Sequence, residues 1–407
     1  MIETRVLRFL FPADDAALRR RDRVIAILGA LVALVLVLRA ARKDGGVLET
    51  NQAFGGRFLA REDPYFDAER QTFVHRPYPP SYAWITAPLS LLPTKLARVA
   101  WASAQVGALA LAFVVLRRWA REHWPSLAPH AAVVFALALL LASRYVLRDM
   151  AGGGGNTLYA ASILYSIDCA LRARRARAGW FLALPLVLKP SLAPVALFFL
   201  RRKHRAVLAW TAGFGLVLFW TPAAWFGARP YGALAARWFT DVTHTIHADA
   251  GASAAMPDLA HEMNQSLRGA LGRALADPDR AGALALAAVA LLAAIACAHA
   301  WRARSGRAEI LSALAFFPLA LLASPISWKA HHAALVPVFF VLVGEALGPP
   351  RRRALAAALC VYYVACVLAS GEVVGGAWKS RLEIASLVTL GDLVLLALLW
   401  TACRRAE

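Results

Sequence analysis

Charge is scarce in this chain. Only 17% of its 407 residues are Asp, Glu, Lys or Arg, where a soluble globular chain carries about 25%. Acids are the scarcer sign, 25 against 45 basic residues, which leaves a formal net charge of +20. Cysteine is nearly absent. Cys169, Cys297, Cys360, Cys366 and Cys403 form no CxxC pair and no metal-ligand spacing, so they read as small hydrophobes rather than a disulfide framework or a zinc site. The glycine run at 152–155 lacks a following Lys-Ser/Thr, which argues against a nucleotide-binding P-loop, and no HExxH occurs. No internal repeat and no separate soluble domain stand out.

What fills the chain instead is apolar. Hydrophobic residues make up 60% of it, more than a soluble core can use, and this points to a polytopic membrane protein. The basic residues lie in short runs between apolar segments, not in a domain of their own. That pattern excludes a nucleic-acid binder and fits topology signals and contacts with membrane phospholipids. The run LRRRDR at 18–23 precedes an apolar stretch with no convincing cleavage site, which reads as a retained anchor.

A membrane span needs about 20 mainly apolar residues. Candidates are 24–41, 96–116, 130–144, 156–171, 206–226, 281–300, 308–324, 333–348, 354–370 and 383–402, with 179–200 read as two short passes broken at Lys189-Pro190. The expectation is an all-α bundle of about 12 passes, some short or broken, forming one integral membrane domain over 1–407. With that count the clusters at 19–23, 117–121, 172–177, 201–205, 301–307, 351–353 and 404–405 fall on one side. The positive-inside rule makes that side cytoplasmic, with both termini, and predicts a multi-pass protein of the bacterial inner membrane. The segments 42–95 and 227–280 then become extracytoplasmic loops with interfacial helices, accompanied by shorter loops at 145–155, 325–332 and 371–382.

The polar chemistry gathers in those outer segments. Glu49 follows the first span, where a desolvated carboxylate could take a proton from a hydroxyl; a solvated loop acid is the alternative. Asp63 before Pro64 either adds an acid or starts a turn. Tyr78-Pro79-Pro80 is stiff and places an aromatic ring for a sugar or prenyl chain, or simply anchors at the interface. Arg148 and Asp149 lead into the glycine turn and Asn156. Lys189, between apolar half-helices, either snorkels to headgroups or binds a lipid phosphate. Asn264, Gln265, Ser266, Arg268 and Arg273 could bind a sugar or phosphate, or cap a helix. Trp328, Lys329, His331 and His332 crowd one turn, where adjacent histidines converge poorly on a metal and hydrogen bonding is favoured. His244, His247 and His261 are scattered additions.

This set resembles the bacterial polytopic glycosyltransferases of family 87, in the GT-C superfamily. The resemblance runs over nearly the whole chain. It rests on an acid after the first span, DPY at 63–65, YPP at 78–80 leading to APLSLLP at 87–93, the glycine turn with Asn156, Lys189-Pro190, NQSLRG at 264–269 and SPISWKAHH at 324–332. It implies inverting transfer of a sugar, most simply mannose, from a polyprenyl-phosphate donor to a lipid or glycolipid acceptor on the extracytoplasmic side, with no cofactor or metal. By the same resemblance Glu49 is the general base, while Tyr78, Lys189, Asn264, Ser266, Arg268, His331 and His332 hold the donor. Asp63, Arg148, Asn156, Trp328 and Lys329 are further members. The family pattern has an aspartate before a tyrosine-containing segment; here Glu49 and Phe54 stand nearest, with Asp44 as an alternative acid. A lipid transporter or flippase, or a non-catalytic envelope-assembly protein, is the competing reading, and product formation separates it from an enzyme.

Overall fold

The computed structural model describes residues 10–12, 14–43, 46–67, 72–73, 78–247, 259–275, 277–348 and 352–407. Asp44 lies outside them, as do the side chains of His244 and His247. The architecture is all-helical apart from one short antiparallel pair, Phe66–Asp67 with Thr72–Phe73.

Among the described residues, seven helices are long and apolar enough to cross a membrane: Asp15–Arg42, Thr94–His123, Arg205–Phe226, Pro278–Arg302, Gly306–Ala323, Lys329–Leu347 and Leu387–Ala406. An eighth candidate is the pair Ala128–Leu141 and Ser143–Gly152, bent by 69°. The other expected passes are also helices but shorter: Asn156–Leu171, Arg175–Leu188, Pro190–Leu200 and Arg353–Leu368. Short polar side chains start several helices. Asp14, Asp277 and Ser305 each accept from backbone N–H groups of the first turn, and Pro278 follows Asp277 at the position where a missing N–H costs nothing.

Gly306–Ala323 and Lys329–Leu347 form the centre, each with 83% of its apolar window buried. Asp15–Arg42 is peripheral, with 6% buried, so Ile27, Leu31 and Val35 face outward as lipid-exposed residues do. Two segments expected as loops are largely helical, and one of them is 371–382, which forms the helices Gly371–Val374 and Gly376–Ile384. Residues 145–155 were expected to be a loop, yet most of them continue as the helix Ser143–Gly152. Its apolar residues alternate with Arg144 and Arg148 at helical spacing, which gives an amphipathic helix instead of a second half of a straight span.

Two polar layers cap the bundle. In the first, three buried carboxylates collect the basic runs. Asp168 accepts from Arg118 at 2.7 Å and Trp119 at 2.9 Å. Glu309 accepts from Arg201 and Lys203, both at 2.6 Å, and contacts His204 at 2.7 Å. Glu345 accepts from Trp124 at 2.8 Å and Arg352 at 2.6 Å, and pairs with Arg307. Gly306 packs against His123 and Ser305 donates to Ala406 O, tying these groups into one end. The helix Thr94–His123 measures the distance to the other layer. Arg98, near its start, and Arg118 are twenty residues apart, which is about 30 Å at the helical rise and matches the hydrocarbon thickness of a bilayer.

In the second layer, the helices Val47–Leu59 and Ala83–Ser90 pack so closely that a Cβ on Gly55 would lie 2.1 Å from Thr86 O. Gly55→Ala should therefore force the two helices apart and cost about 1–3 kcal/mol. Gly56→Ala, where a Cβ meets nothing within 4 Å, is the matched control. Thermal unfolding of the purified protein in detergent should show a lower midpoint for the first variant and no loss for the second.

Candidate functional site

The second polar layer is organised by the break after Arg175–Leu188. Pro190 disfavours helical geometry at the residue before it, and Lys189 is extended with φ −155° and ψ 91°. The break leaves Lys189 only 6% exposed. Its Nζ donates to Asn156 Oδ1 at 2.9 Å, lies 3.5 Å from His331 Nε2 and sits 5.5 Å from the centre of the Tyr78 ring. Among the described residues no carboxylate lies within ion-pair distance of it. All three partners are neutral or amphoteric, so the ammonium keeps an unneutralised charge.

Asn156 is held from behind. The helix Ser143–Gly152 ends in a turn where Gly153 and Gly155 take φ +74° and +71°, a region that favours glycine. A side chain at Gly155 would also lie 2.5 Å from Trp101. The turn brings Asp149 back onto the start of Asn156–Leu171, where it accepts from Asn156 Nδ2 at 2.6 Å and Thr157 N at 2.9 Å. The Asn156 amide thus presents its oxygen to Lys189, oriented by a fully buried carboxylate. Asp149 reaches Lys189 only through that amide.

Tyr78 stacks on Tyr82 with ring centres 4.3 Å apart, and its carbonyl accepts from Tyr65 OH at 3.0 Å. Ser81 donates to Val187 O at 2.6 Å, fixing this stiff segment beside the lysine break. The Tyr82 hydroxyl accepts from Asn51, and burial pushes its phenol well above the usual tyrosine range. Immediately beyond, Phe58, Ala83, Trp84, Ala87, Pro222 and Trp225 line an apolar cavity of about 640 Å³.

Glu49 lies in the first turn of Val47–Leu59 and is paired with Arg98 at 2.6 Å. Arg98 is 4% exposed and Glu49 38%. Two contacts join this helix to the lysine cluster: Leu48 against Gly153, and Asn51 to Tyr82. Phe54, on the same helix, is buried edge-on against Tyr65.

Other sequence candidates are placed elsewhere. Asp63 makes a turn, accepting from Tyr65 N at 2.9 Å and pairing with Arg237. Asn264 uses its whole amide on backbone, donating to Leu259 O and Pro325 O and accepting from Ser266 N and Ser327 N. Ser266 caps Leu267–Leu275 by accepting from Gly269 N at 3.0 Å. Arg268, on that helix, packs beside Gly282. Arg273 bonds the carbonyls of His261 and Asn264 and the Ser386 hydroxyl. Lys329 is neutralised by Glu383 at 2.5 Å, and Trp328 is exposed, stacked near His261. The histidine pair divides: His331 faces Lys189, whereas His332 is buried against Asp392 at 2.9 Å. Arg148 is exposed on the helix that carries Asp149.

Arg98 and the bracing role of Asp149 escaped the sequence reading. Arg98 is an arginine just inside a span, and Asp149 stands seven residues before Asn156; both signals are visible only once a partner is known. Among the described residues no group of three His, Cys, Asp or Glu could hold a metal ion.

These features define a polytopic helical membrane protein with a buried cation and oriented amide at one end, joined to an apolar cavity through the Tyr78–Tyr82 segment. The chain belongs to glycosyltransferase family 87, which matches residues 77–325. The matched segment includes Tyr78, Asn156, Lys189 and Asn264 and stops short of Trp328–His332. It is 30% identical over 285 residues to a polyprenol-phosphate-mannose-dependent alpha-(1-2)-phosphatidylinositol pentamannoside mannosyltransferase of Mycobacterium tuberculosis, covering 68% of this chain and 59% of that one. The protein of the same description from Mycolicibacterium smegmatis is 28% identical over 268 residues, covering 65% and 60%. The match thus spans about 60% of these relatives' length. A crystal structure of ArnT from Cupriavidus metallidurans bound to undecaprenyl phosphate is similar at a TM-score of 0.46 and 14% identity, covering 93% of this chain and 77% of that one.

The hydrogen bonds of Asn264 make a stability prediction. Asn264→Ala leaves Leu259 O and the N–H groups of Ser266 and Ser327 without the Asn264 side chain, while Pro325 O keeps Ser266, and should cost roughly 2 kcal/mol or more. Lys189→Met, which removes a buried charge at similar volume, should cost less. Thermal midpoints of the two variants in the same detergent give the comparison.

Proposed function

We propose that the protein transfers a sugar, mannose by analogy with its relatives, from a polyprenyl-phosphate donor to the hydroxyl of a lipid or glycolipid acceptor. The observation that carries this reading is Lys189, a buried ammonium with only neutral partners, whose neighbour Tyr78 stacks on Tyr82 at the head of the segment Ala83–Ala87 that lines the apolar cavity. A charge in that position calls for an anion, and the cavity calls for a hydrocarbon chain. A prenyl phosphate supplies both in one molecule. Its chain would lie along the cavity between Phe58 and Trp225, and its phosphate would meet Lys189.

The chemistry then divides between two faces of the site. The acceptor oxygen attacks the anomeric carbon while the bond from that carbon to the phosphate oxygen breaks, and the electron pair leaves with the phosphate. Lys189 stabilises the departing charge, with the His331 ring beside it. Trp328 N–H is directed at His331 Nδ1 at 3.3 Å, which puts the ring proton of the neutral histidine on Nε2, toward Lys189. Two donors converging in this way suit a shared acceptor oxygen. Glu49 takes the acceptor proton, held in position by Arg98. Attack opposite the leaving phosphate inverts the anomeric centre.

Glu49→Gln should lower turnover at least 100-fold while thermal midpoint and donor affinity stay close to wild type. Lys189→Met should weaken donor binding as well. Both are measured by mass spectrometry of glycosylated lipid and by donor titration in reconstituted protein. Unchanged turnover in the first variant would remove Glu49 from the chemistry, and product from neither variant nor wild type would leave the transporter reading.

In the proposed topology the end holding Asp168, Glu309 and Glu345 is cytoplasmic, and the Lys189 end faces the extracytoplasmic side of the inner membrane. The support is that the Lys/Arg runs meet at the first end. Single cysteines at exposed Arg61 and Lys203 in a cysteine-free background test it. A membrane-impermeant maleimide applied to spheroplasts should label Arg61→Cys and spare Lys203→Cys; the reverse pattern overturns the orientation.

A further inference from the structure

The helix Ser143–Gly152 carries a second, separate cationic group. Arg144 is 9% exposed, and its Nη1 donates to Ala369 O at 2.7 Å. Its Nη2 is buried and has no hydrogen-bond partner among the described residues. A buried guanidinium N–H without an acceptor is costly, because the group loses its water and gains nothing in return. Arg148 stands four residues later, on the same helical face, exposed and without an ion pair among the described residues.

Two acids lie within electrostatic reach, Glu383 of Arg144 and Glu372 of both arginines, but neither makes an ion pair or hydrogen bond with Arg144 or Arg148 among the described residues. Glu383 is held by Lys329 at 2.5 Å and by Lys379 at 3.7 Å. Glu372 is exposed and accepts from Ser370. The surroundings are also apolar where they meet the outside: Leu147, Val373 and Trp378 are 42%, 65% and 59% exposed. Arginines without an ion-pair partner among the described residues, beside exposed hydrophobic side chains, match the boundary between lipid headgroups and acyl chains.

We infer that Arg144 and Arg148 form a binding site for the phosphodiester of a lipid, separate from the Lys189 cluster. Arg148 meets the phosphodiester from the exposed side with its guanidinium fork, and the unpaired charge of Arg144 adds attraction from beneath it. The lipid is either the acceptor itself or an anionic phospholipid of the bilayer. Only the acceptor alternative rests on the transferase reading. If the acceptor is the ligand, the same helix that orients Asn156 through Asp149 also docks the second substrate.

The test is lipid titration of the purified full-length protein in a non-ionic detergent, followed by native mass spectrometry, with phosphatidylinositol and phosphatidylglycerol as the two probes. Arg148→Gln and Arg144→Gln should each weaken binding about tenfold or more, the loss of one charge-assisted hydrogen bond. Arg353→Gln, an exposed arginine at the opposite end, controls for net charge and should leave affinity unchanged. Lys189→Met should also leave it unchanged, because the donor cluster is a different site. A loss for phosphatidylinositol alone assigns the site to an inositol-bearing acceptor; an equal loss for both probes assigns it to bulk anionic lipid. Unaltered affinity for both probes in Arg148→Gln, or an equal loss in Arg353→Gln, overturns the proposal. Arg148 is exposed, so that variant remains informative should Arg144→Gln fail to fold. Binding needs no turnover, so an inactive transferase with an intact Arg148 effect would sink the catalytic reading and leave this one standing.

Discussion

The arrangement of this protein turns on an ammonium that the bundle buries without neutralising. Several other buried cations meet carboxylates directly: Arg201 meets Glu309, Lys329 meets Glu383, and Arg98 meets Glu49. Such pairs offset much of the desolvation cost of each charge. At Lys189 the carboxylate is set one residue back, behind the Asn156 amide. Asp149 still orients the amide dipole toward the ammonium, so the site tolerates the charge while leaving its strongest electrostatic interaction open. The glycine turn exists to make this possible. Gly153 and Gly155 fold the end of one helix back onto the start of the next, and no residue with a side chain would fit against Trp101.

Much of the scaffold could be read from the chain alone, because a bilayer imposes a simple rule on it. Backbone polar groups must be satisfied within each apolar segment, so long apolar runs become helices. Each segment named as a pass is helical, and the basic runs meet at one end around Asp168, Glu309 and Glu345. Length was less legible. The helices Asn156–Leu171 and Arg175–Leu188 are 16 and 14 residues long, shorter than a straight crossing needs. The amphipathic helix Ser143–Gly152 was mistaken for loop because its arginines interrupt the apolar run.

The candidate site was legible in residue type and poorly legible in partnership. Lys189-Pro190 announced itself, since a charge and a helix breaker in an apolar run have few structural uses. Asn264 and Ser266 carried the same polar signal, yet their side chains clasp the backbone at 259–269 and 325–327. An amide that seals a loop and an amide that meets a ligand look identical in one dimension. His331 and His332 make the point again. Neighbours in a tight turn, they face in different directions, one toward Lys189 and one toward Asp392 on the final helix. Only packing assigns them.

The placement of Glu49 and Lys189 on different elements has a mechanistic consequence. The proposed inverting displacement needs a proton acceptor on one side of the sugar and charge stabilisation on the other, so under that proposal the two groups must be held apart but in fixed relation. The relation here is set by contacts that involve neither side chain: Leu48 against Gly153, and Asn51 through Tyr82 to the stacked Tyr78. Gly55 lets Val47–Leu59 lie directly on Ala83–Ser90, which continues from the Tyr82 turn. A shift in that packing moves the carboxylate relative to the ammonium without touching either. The precision of such a site therefore resides in small residues and backbone contacts, where a bilayer protein can achieve close approach without burying further charge.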